Sequence, residues 1–158
     1  MNRFILRVLA TVLPMALVIG GLTVAPAEKS FAAEDIVVQT VEAPFDKVVV
    51  NLKRAFTSQK LVIVKAVPYQ QMLGMVGIKA EKMMGFEVFH PRFGKPMYAA
   101  DPASFKEVPL RILVRETRRG VILEYRKPSV IFAPYPRLAK LGKQLDSVLA
   151  SVMKSAME

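Results

Sequence analysis

The strongest constraint on the fold is a pair of alternating segments joined by a short turn. Residues 110–116 and 120–126 carry an apolar side chain at every second position, from 110 to 114 and from 121 to 125, and residues 117–120 form the turn between them. Alternation with a period of two predicts β-strands that bury one face, and a turn this short pairs the two strands antiparallel. The sequence therefore predicts a β-hairpin with one face that the rest of the chain must cover.

The segments around this hairpin predict both strands and helices. Three further strands are predicted, over residues 36–41, 61–67 and 84–90. Residues 45–56 and 138–152 place apolar side chains on one face at helical spacing, and residues 69–77 predict a short helix that ends at a glycine. This order predicts an α+β fold with a single sheet of about four to five mostly antiparallel strands and two main helices packed on one face.

Two segments carry residues that usually interrupt regular structure. Residues 93–105 contain Gly94, Pro96 and Pro102, which predicts a loop with at most one turn of helix. Residues 130–133 are apolar and lie between two prolines, which predicts a further short strand.

Residues 1–32 have the organisation of a secretory signal peptide. Arg3 and Arg7 make the first residues basic, residues 8–25 carry no charge, and Ser30 and Ala32 provide small side chains before the expected cleavage after Ala32. An uncleaved inner-membrane anchor formed by residues 8–25 is the alternative, although this run is near the lower limit for a spanning helix. We therefore expect a periplasmic or secreted protein whose residues 33–158 form a single α+β domain.

Composition excludes several kinds of chemistry. The chain has no Cys and one His, which rules out disulfides, thiolate metal sites, covalent c-type haem and a pair of His ligands within one chain. It also has no glycine-rich phosphate loop, no His-Glu-x-x-His motif and no carboxylate-rich cluster for Mg²⁺. We therefore predict that the protein is not an enzyme.

The charge balance indicates the surfaces that the protein approaches. The formal net charge is +10, and removal of the leader leaves 20 basic and 12 acidic residues, a net charge of +8. A basic exported domain is attracted to an acidic protein partner or to an anionic membrane surface. Nucleic acid is not an expected partner, because the basic residues are scattered and the chain is predicted to be exported.

Four short motifs, in order, resemble a known family. They are Ala-Pro-Phe-Asp-Lys-Val at 43–48, Phe-His-Pro-Arg at 89–92, Asp-Pro at 101–102 and Val-Pro-Leu-Arg-Ile-Leu-Val at 108–114. Together they resemble the domain-of-unknown-function family 302 over most of residues 36–152. The resemblance implies a compact α+β domain, often exported in bacteria and a homodimer, with no established activity. Many relatives carry Asn where this chain has His90.

His90 is the first candidate for chemistry, because it is the one imidazole in the chain. A regular strand would place it on the same face as Phe86 and Val88, and Pro91 would fix the turn that follows. An imidazole in that position could hold haem b or a transition metal, with a second His90 supplied by a symmetric partner. The alternatives are a half-buried histidine bonded to nearby backbone and a general acid or base.

The segment around His90 is rich in aromatic and sulfur-containing side chains. Such a segment suits a flat apolar ligand, a dimer interface or the core. We predict that the ligand-binding residues are His90, Met84, Phe86, Phe93, Tyr98 and Arg111. Arg111 is included because a guanidinium could recognise a carboxylate or propionate, although it could instead pair with Asp101, Glu87 or Glu124.

A second sulfur pair lies in the short helix predicted over residues 69–77. Met72 and Met75 have the spacing that would suit Cu(I), but ordinary core packing is the favoured interpretation. The leading hypothesis is therefore an exported ligand-binding or redox accessory protein with its site at His90. A structural or protein-interaction module of the cell envelope, with no small-molecule ligand, is the alternative.

Overall fold

The computed structural model describes residues 35–158. The expected leader over residues 1–32 and the alternative anchor over residues 8–25 lie outside the described residues. Within residues 35–158, no helix combines the length and the apolar character needed to span a bilayer.

Five strands and five α-helices follow one another along the described chain. They are β1 (Ile36–Val41), α1 (Phe45–Ser58), β2 (Val62–Val67), α2 (Tyr69–Met75), β3 (Met83–Phe89), α3 (Pro91–Ala100), β4 (Leu110–Thr117), β5 (Gly120–Arg126), α4 (Pro128–Ile131) and α5 (Ala139–Ala156). Two 3₁₀ segments, Pro102–Glu107 and Pro136–Leu138, connect α3 to β4 and α4 to α5. The predicted hairpin and the two long amphipathic helices are confirmed.

The strands form one five-stranded sheet in the order β1-β5-β4-β3-β2, and every neighbouring pair is antiparallel. Strands β2 to β5 are consecutive neighbours, whereas β1 pairs with β5 at the far edge. The predicted α+β class with a single antiparallel sheet is confirmed.

One face of the sheet carries the core. Alternate side chains of the central strands, among them Phe86, Ile112 and Leu123, are buried beneath α1 and α5. Phe56 of α1 packs edge-on against Phe86, with ring centroids 5.6 Å apart and an interplanar angle of 62°. Because strand side chains alternate, burial of this set directs the residues between them to the other face.

That second face, here called the open face, carries ion pairs across neighbouring strands. The register places Glu87 of β3 opposite Arg111 of β4, and Arg115 of β4 two positions from Glu124 of β5, diagonally across the strand pair. Gly85 of β3 also lies on the open face, and Tyr69 of α2 covers it. Helix α2 therefore lies over the open face, while α1 and α5 cover the opposite one.

The loop predicted over residues 93–105 is wrong, because α3 and a 3₁₀ segment occupy it. Pro91 takes the first helical position, where its missing N–H costs nothing, and Pro96 lies inside the helix. Met97 is 1% exposed, so burial of this side chain outweighs the loss of one backbone hydrogen bond at Pro96.

The strand predicted over residues 130–133 is also wrong. Pro128 begins the single-turn helix α4, and the backbone N–H of Ser129 donates to Asp146 Oδ1 at 2.9 Å. Phe132 is fully buried at the end of this turn. Two features favour a helix over a strand for this apolar run. Pro128 occupies the first helical position, and the Asp146 carboxylate accepts a hydrogen bond from the next backbone N–H.

Candidate functional site

His90 lies one residue beyond β3 and caps helix α3. The backbone N–H of Arg92 donates to His90 Nδ1 at 3.3 Å, and the Phe93 ring lies 4.6 Å from the imidazole, centroid to centroid. The surrounding depression is shallow and has both polar and apolar walls, with Lys60 just beyond the end of α1 and Gln144 of α5 among its lining residues. The half-buried histidine bonded to backbone is therefore the alternative that the geometry favours.

The cap hydrogen bond opposes a role as a metal ligand. A histidine that binds metal through Nε2 usually donates its Nδ1–H to a carbonyl or carboxylate. Here Nδ1 accepts a hydrogen bond, which places the proton of the neutral imidazole on Nε2. Among residues 35–158, no group of three or more His, Asp or Glu side chains is arranged to hold a metal ion.

The surroundings of His90 also disfavour its protonated form. Partial burial lowers the pKa of His90 below its ordinary value, and the cations of Arg92 and Lys60 lower the pKa further. Protonation would also convert Nδ1 from an acceptor into a donor and remove the cap. These surroundings therefore favour the neutral imidazole at the start of α3.

We expect His90→Ala to lower the free energy of unfolding by about 0.5 kcal/mol, because the cap is lost. His90→Asn should keep the cap, since Asn is a preferred cap residue. The folded-state pKa of His90 lies below the unfolded value of about 6.5, so its contribution is present above pH 6.5 and lost as the pH falls through the folded pKa. Denaturant unfolding at several pH values tests this. An equal loss of stability on acidification in the wild type and in His90→Asn would contradict it.

The six predicted ligand residues do not form one site. Phe93 lies with His90, Met84 packs against the core, and Tyr98 is 69% exposed on α3. Arg111 lines a different cavity on the open face, whereas the Phe86 side chain is fully buried in the core on the opposite face of the sheet. These residues lie apart because His90 follows the end of β3, Met84 and Phe86 face the core, and Arg111 faces the other side of the sheet.

That second cavity is an apolar groove between α2 and the open face, and it has a volume of about 530 Å³. Tyr69, Met72 and Leu73 form the α2 wall, and residues of β3 and β4 form the floor: Met83, Gly85, Phe86, Glu87, Arg111, Ile112 and Leu113. A Cβ atom added to Gly85 would lie 2.6 Å from Tyr69 Cε2. The groove therefore depends on the absence of a side chain at Gly85.

One ion pair lies among the lining residues. Arg111 Nε and Glu87 Oε1 are 3.3 Å apart, and the side chains are 79% and 25% exposed. Of the three acidic partners considered for Arg111, Glu87 is therefore the one it meets. Glu124 instead accepts from Arg115 Nε, and Asp101 accepts from the N–H of Ala103. Arg111 keeps most of its surface free for an anionic group in the groove.

Sequence reasoning missed the groove, although one signal was present. A glycine inside a strand often marks close approach by another part of the chain, and Gly85 lies in the middle of β3. The favoured interpretation of Met72 and Met75 as core residues was wrong, since they are 51% and 86% exposed. Helix α2 has no buried residue, because it packs on the open face rather than on the core.

Comparisons with known proteins agree on the fold. The family described as "Domain of unknown function DUF302" matches residues 37–156. Among solved structures, the uncharacterized conserved protein DUF302 from Bacillus stearothermophilus is similar, with a TM-score of 0.73 and 13% sequence identity. The match covers 78% of this chain and 99% of that chain. None of the curated proteins matches this chain.

Proposed function

Because the chain belongs to the DUF302 family, whose function is unknown, we propose a function from its own surface: an exported binding protein for small apolar carboxylates. The apolar groove between α2 and the open face carries this proposal. Its volume of about 530 Å³ lies within the range of ligand pockets, about 300 to 1,000 Å³.

The walls of the groove define the body of the ligand. Tyr69, Met72 and Leu113 present apolar surface, and thioether side chains adapt to ligands of different shape. A sugar or nucleotide would leave most of its polar groups without hydrogen-bond partners against these walls. A hydrocarbon chain or a flat ring system loses no hydrogen bonds there and buries apolar area.

Arg111 defines the polar end of the ligand. Its guanidinium is largely exposed, and Glu87 orients it through Nε, so other N–H donors remain available. Guanidinium and carboxylate groups form paired, charge-assisted hydrogen bonds. A ligand with an apolar body and one carboxylate therefore matches both the apolar walls of the groove and Arg111 at the edge of the groove.

Two molecules with this chemistry serve as probes. Palmitate has a flexible chain and one carboxylate, whereas haemin is flat and carries propionates. Titration calorimetry of a chain starting at Ala33 should show saturable binding of at least one of them, and a sharpened Soret band would identify haemin. If neither binds at its soluble concentrations, the proposal is wrong.

Arg111→Gln should weaken carboxylate binding about tenfold, the usual value of a charge-assisted hydrogen bond. Arg115→Gln is the matched control, because Arg115 lies on the same strand and pairs with Glu124 at the same 3.3 Å distance, away from the groove lining. Calorimetry should show nearly wild-type affinity for the control. Equal losses of affinity in Arg111→Gln and Arg115→Gln would assign the effect to net charge and contradict a role for Arg111 at the edge of the groove.

Haem binding through His90 makes a different prediction. If His90 holds the iron, His90→Ala removes the haemin spectrum while Arg111→Gln leaves it nearly intact. If the groove holds haemin, the His90→Ala spectrum is unchanged and affinity falls in Arg111→Gln. The first pattern would overturn the groove in favour of the site at His90.

A protein-interaction module is the second candidate function. Its support is the apolar surface of the two edge strands, where Val38 of β1 and Val64 of β2 are each 55% exposed. Exposed apolar edges favour pairing with another chain, including the homodimer that the family resemblance implies. A protein that sediments as a dimer and binds neither palmitate nor haemin would favour this function.

A further inference from the structure

The outer end of α2 and the residues that follow it form the most exposed apolar projection among the described residues. Met75 is 86% exposed, Val76 73%, Ile78 52% and Met72 51%. A Cβ atom added at Gly74 or Gly77 would meet nothing within 4 Å. Residues 72–78, here called the α2 tip, therefore project into solvent with large apolar side chains that the domain does not cover.

Exposed basic residues lie near the α2 tip. Of the four lysines in residues 60–82, Lys60 lies at the His90 depression and Lys82 pairs with Asp46, so Lys65 and Lys79 supply the charge beside the tip. Lys79 follows the tip directly and is exposed, and Lys65 is exposed on β2 beside Glu87 in the register. Arg111 adds a largely exposed positive charge at the groove. The tip is therefore an apolar projection in a region of positive charge.

We propose that the α2 tip docks onto a lipid bilayer that contains anionic headgroups. Apolar side chains insert at the boundary between headgroups and acyl chains, and lysines next to them interact with lipid phosphates. The combination of uncovered apolar side chains and adjacent positive charge is what such a surface requires, and the net charge of the chain has the same sign. A neutral partner protein would account for the apolar side chains but not for the charge.

Docking also has a consequence for the groove. Met72 belongs both to the α2 tip and to the groove wall, so docking places the groove next to the acyl chains. An apolar carboxylate could then pass between bilayer and groove with little exposure to water. This last step rests on the proposed function, whereas docking itself does not.

Vesicle co-sedimentation tests the docking with a chain that starts at Ala33, which removes the apolar residues 8–25. Residues 35–158 carry the five-stranded sheet and the buried core described above, and the match to the solved DUF302 structure covers 99% of that chain. Vesicles made of equal parts of phosphatidylglycerol and phosphatidylcholine should bind the protein. Vesicles of phosphatidylcholine alone should bind it at least tenfold more weakly, since the attraction to anionic lipid is lost.

Matched variants separate the tip from the rest of the surface. The double variant Met75→Gln/Ile78→Thr should lower the vesicle partition coefficient at least tenfold, whereas Met157→Gln, at an exposed methionine far along the chain, should not change it. Lys79→Gln should lower it about fivefold, and Lys154→Gln, with the same charge change on α5, less than twofold. All five positions are exposed, so folding is retained.

Three outcomes would overturn the docking. The first is absence of binding to the anionic vesicles, and the second is an equal effect of Lys79→Gln and Lys154→Gln, which would mean attraction by net charge alone. The third combines two results: the wild type does not bind vesicles, and Met75→Gln/Ile78→Thr converts a dimer into a monomer. The tip would then be a contact with a second copy of this chain. Carboxylate binding by the same variants is measured separately, so loss of docking and loss of the groove ligand are distinguishable.

Discussion

Gly85→Val should abolish binding of apolar carboxylates while leaving the protein folded. A Cβ atom at this position would lie 2.6 Å from Tyr69 Cε2, and the two methyl groups of valine would extend further into the groove. The Tyr69 ring must then move away from β3, and the floor and wall of the groove lose their present shape. We expect a loss of affinity of at least a hundredfold for palmitate or haemin, measured by titration calorimetry.

The fold should survive this change, for two reasons. Valine is favoured in strands, and the atom that it displaces is at the end of a side chain on a helix with no buried residue. Gly74→Ala is the control, because it alters a glycine of α2 where an added Cβ meets nothing within 4 Å. Circular dichroism of all three proteins should be alike. If folded Gly85→Val binds either probe with wild-type affinity, the ligand does not occupy the groove.

Gly120→Ala should have the largest effect on stability, a loss on the order of 3 kcal/mol in the free energy of unfolding. Gly120 begins β5 with a φ of +119°, which L residues rarely adopt. An added Cβ would also lie 2.5 Å from the carbonyl oxygen of Val41, at the end of β1. Alanine would therefore strain the turn and push apart the β1 and β5 backbones.

Gly77→Ala separates these two causes. Gly77 also has a positive φ, +81°, but a Cβ there would meet nothing within 4 Å. Gly77→Ala should lower the free energy of unfolding by about 1 kcal/mol, because only the unfavourable positive φ contributes there. Denaturant unfolding at neutral pH measures both variants. Equal losses would mean that the contact with Val41 contributes nothing, contrary to the packing seen at the end of β1.

Periodicity in the sequence predicted the elements that face the core. Phe56 and Leu149 are fully buried on helices whose apolar spacing was regular, and the hairpin had both strands and a short turn as signals. The segments that contain α3 and α4 were misassigned because prolines in them indicated breaks. Burial of Met97 and Phe132 decided those segments, and such burial depends on contacts with distant parts of the chain.

The site was harder to predict for a related reason. His90 attracted attention by its residue type, but its hydrogen bond to the N–H of Arg92 depends on a helix that the sequence did not predict. The groove is assembled from α2, β3 and β4, and its key contact joins Tyr69 to Gly85. Only the glycine inside the strand pointed to that approach, and a glycine alone does not identify its neighbour.

The position of β1 determines the order in which the sheet can be completed. Ile36 pairs with Arg126, so the first strand of the described chain lies beside a strand about 90 positions later. Strands β2 to β5 pair with sequence neighbours and can form as soon as each emerges from the ribosome. β1 must wait for β5, since β5 is its one hydrogen-bonded neighbour in the described sheet. The sheet therefore stays incomplete, with one edge of β5 unpaired by β1, until the chain has been synthesised through Arg126.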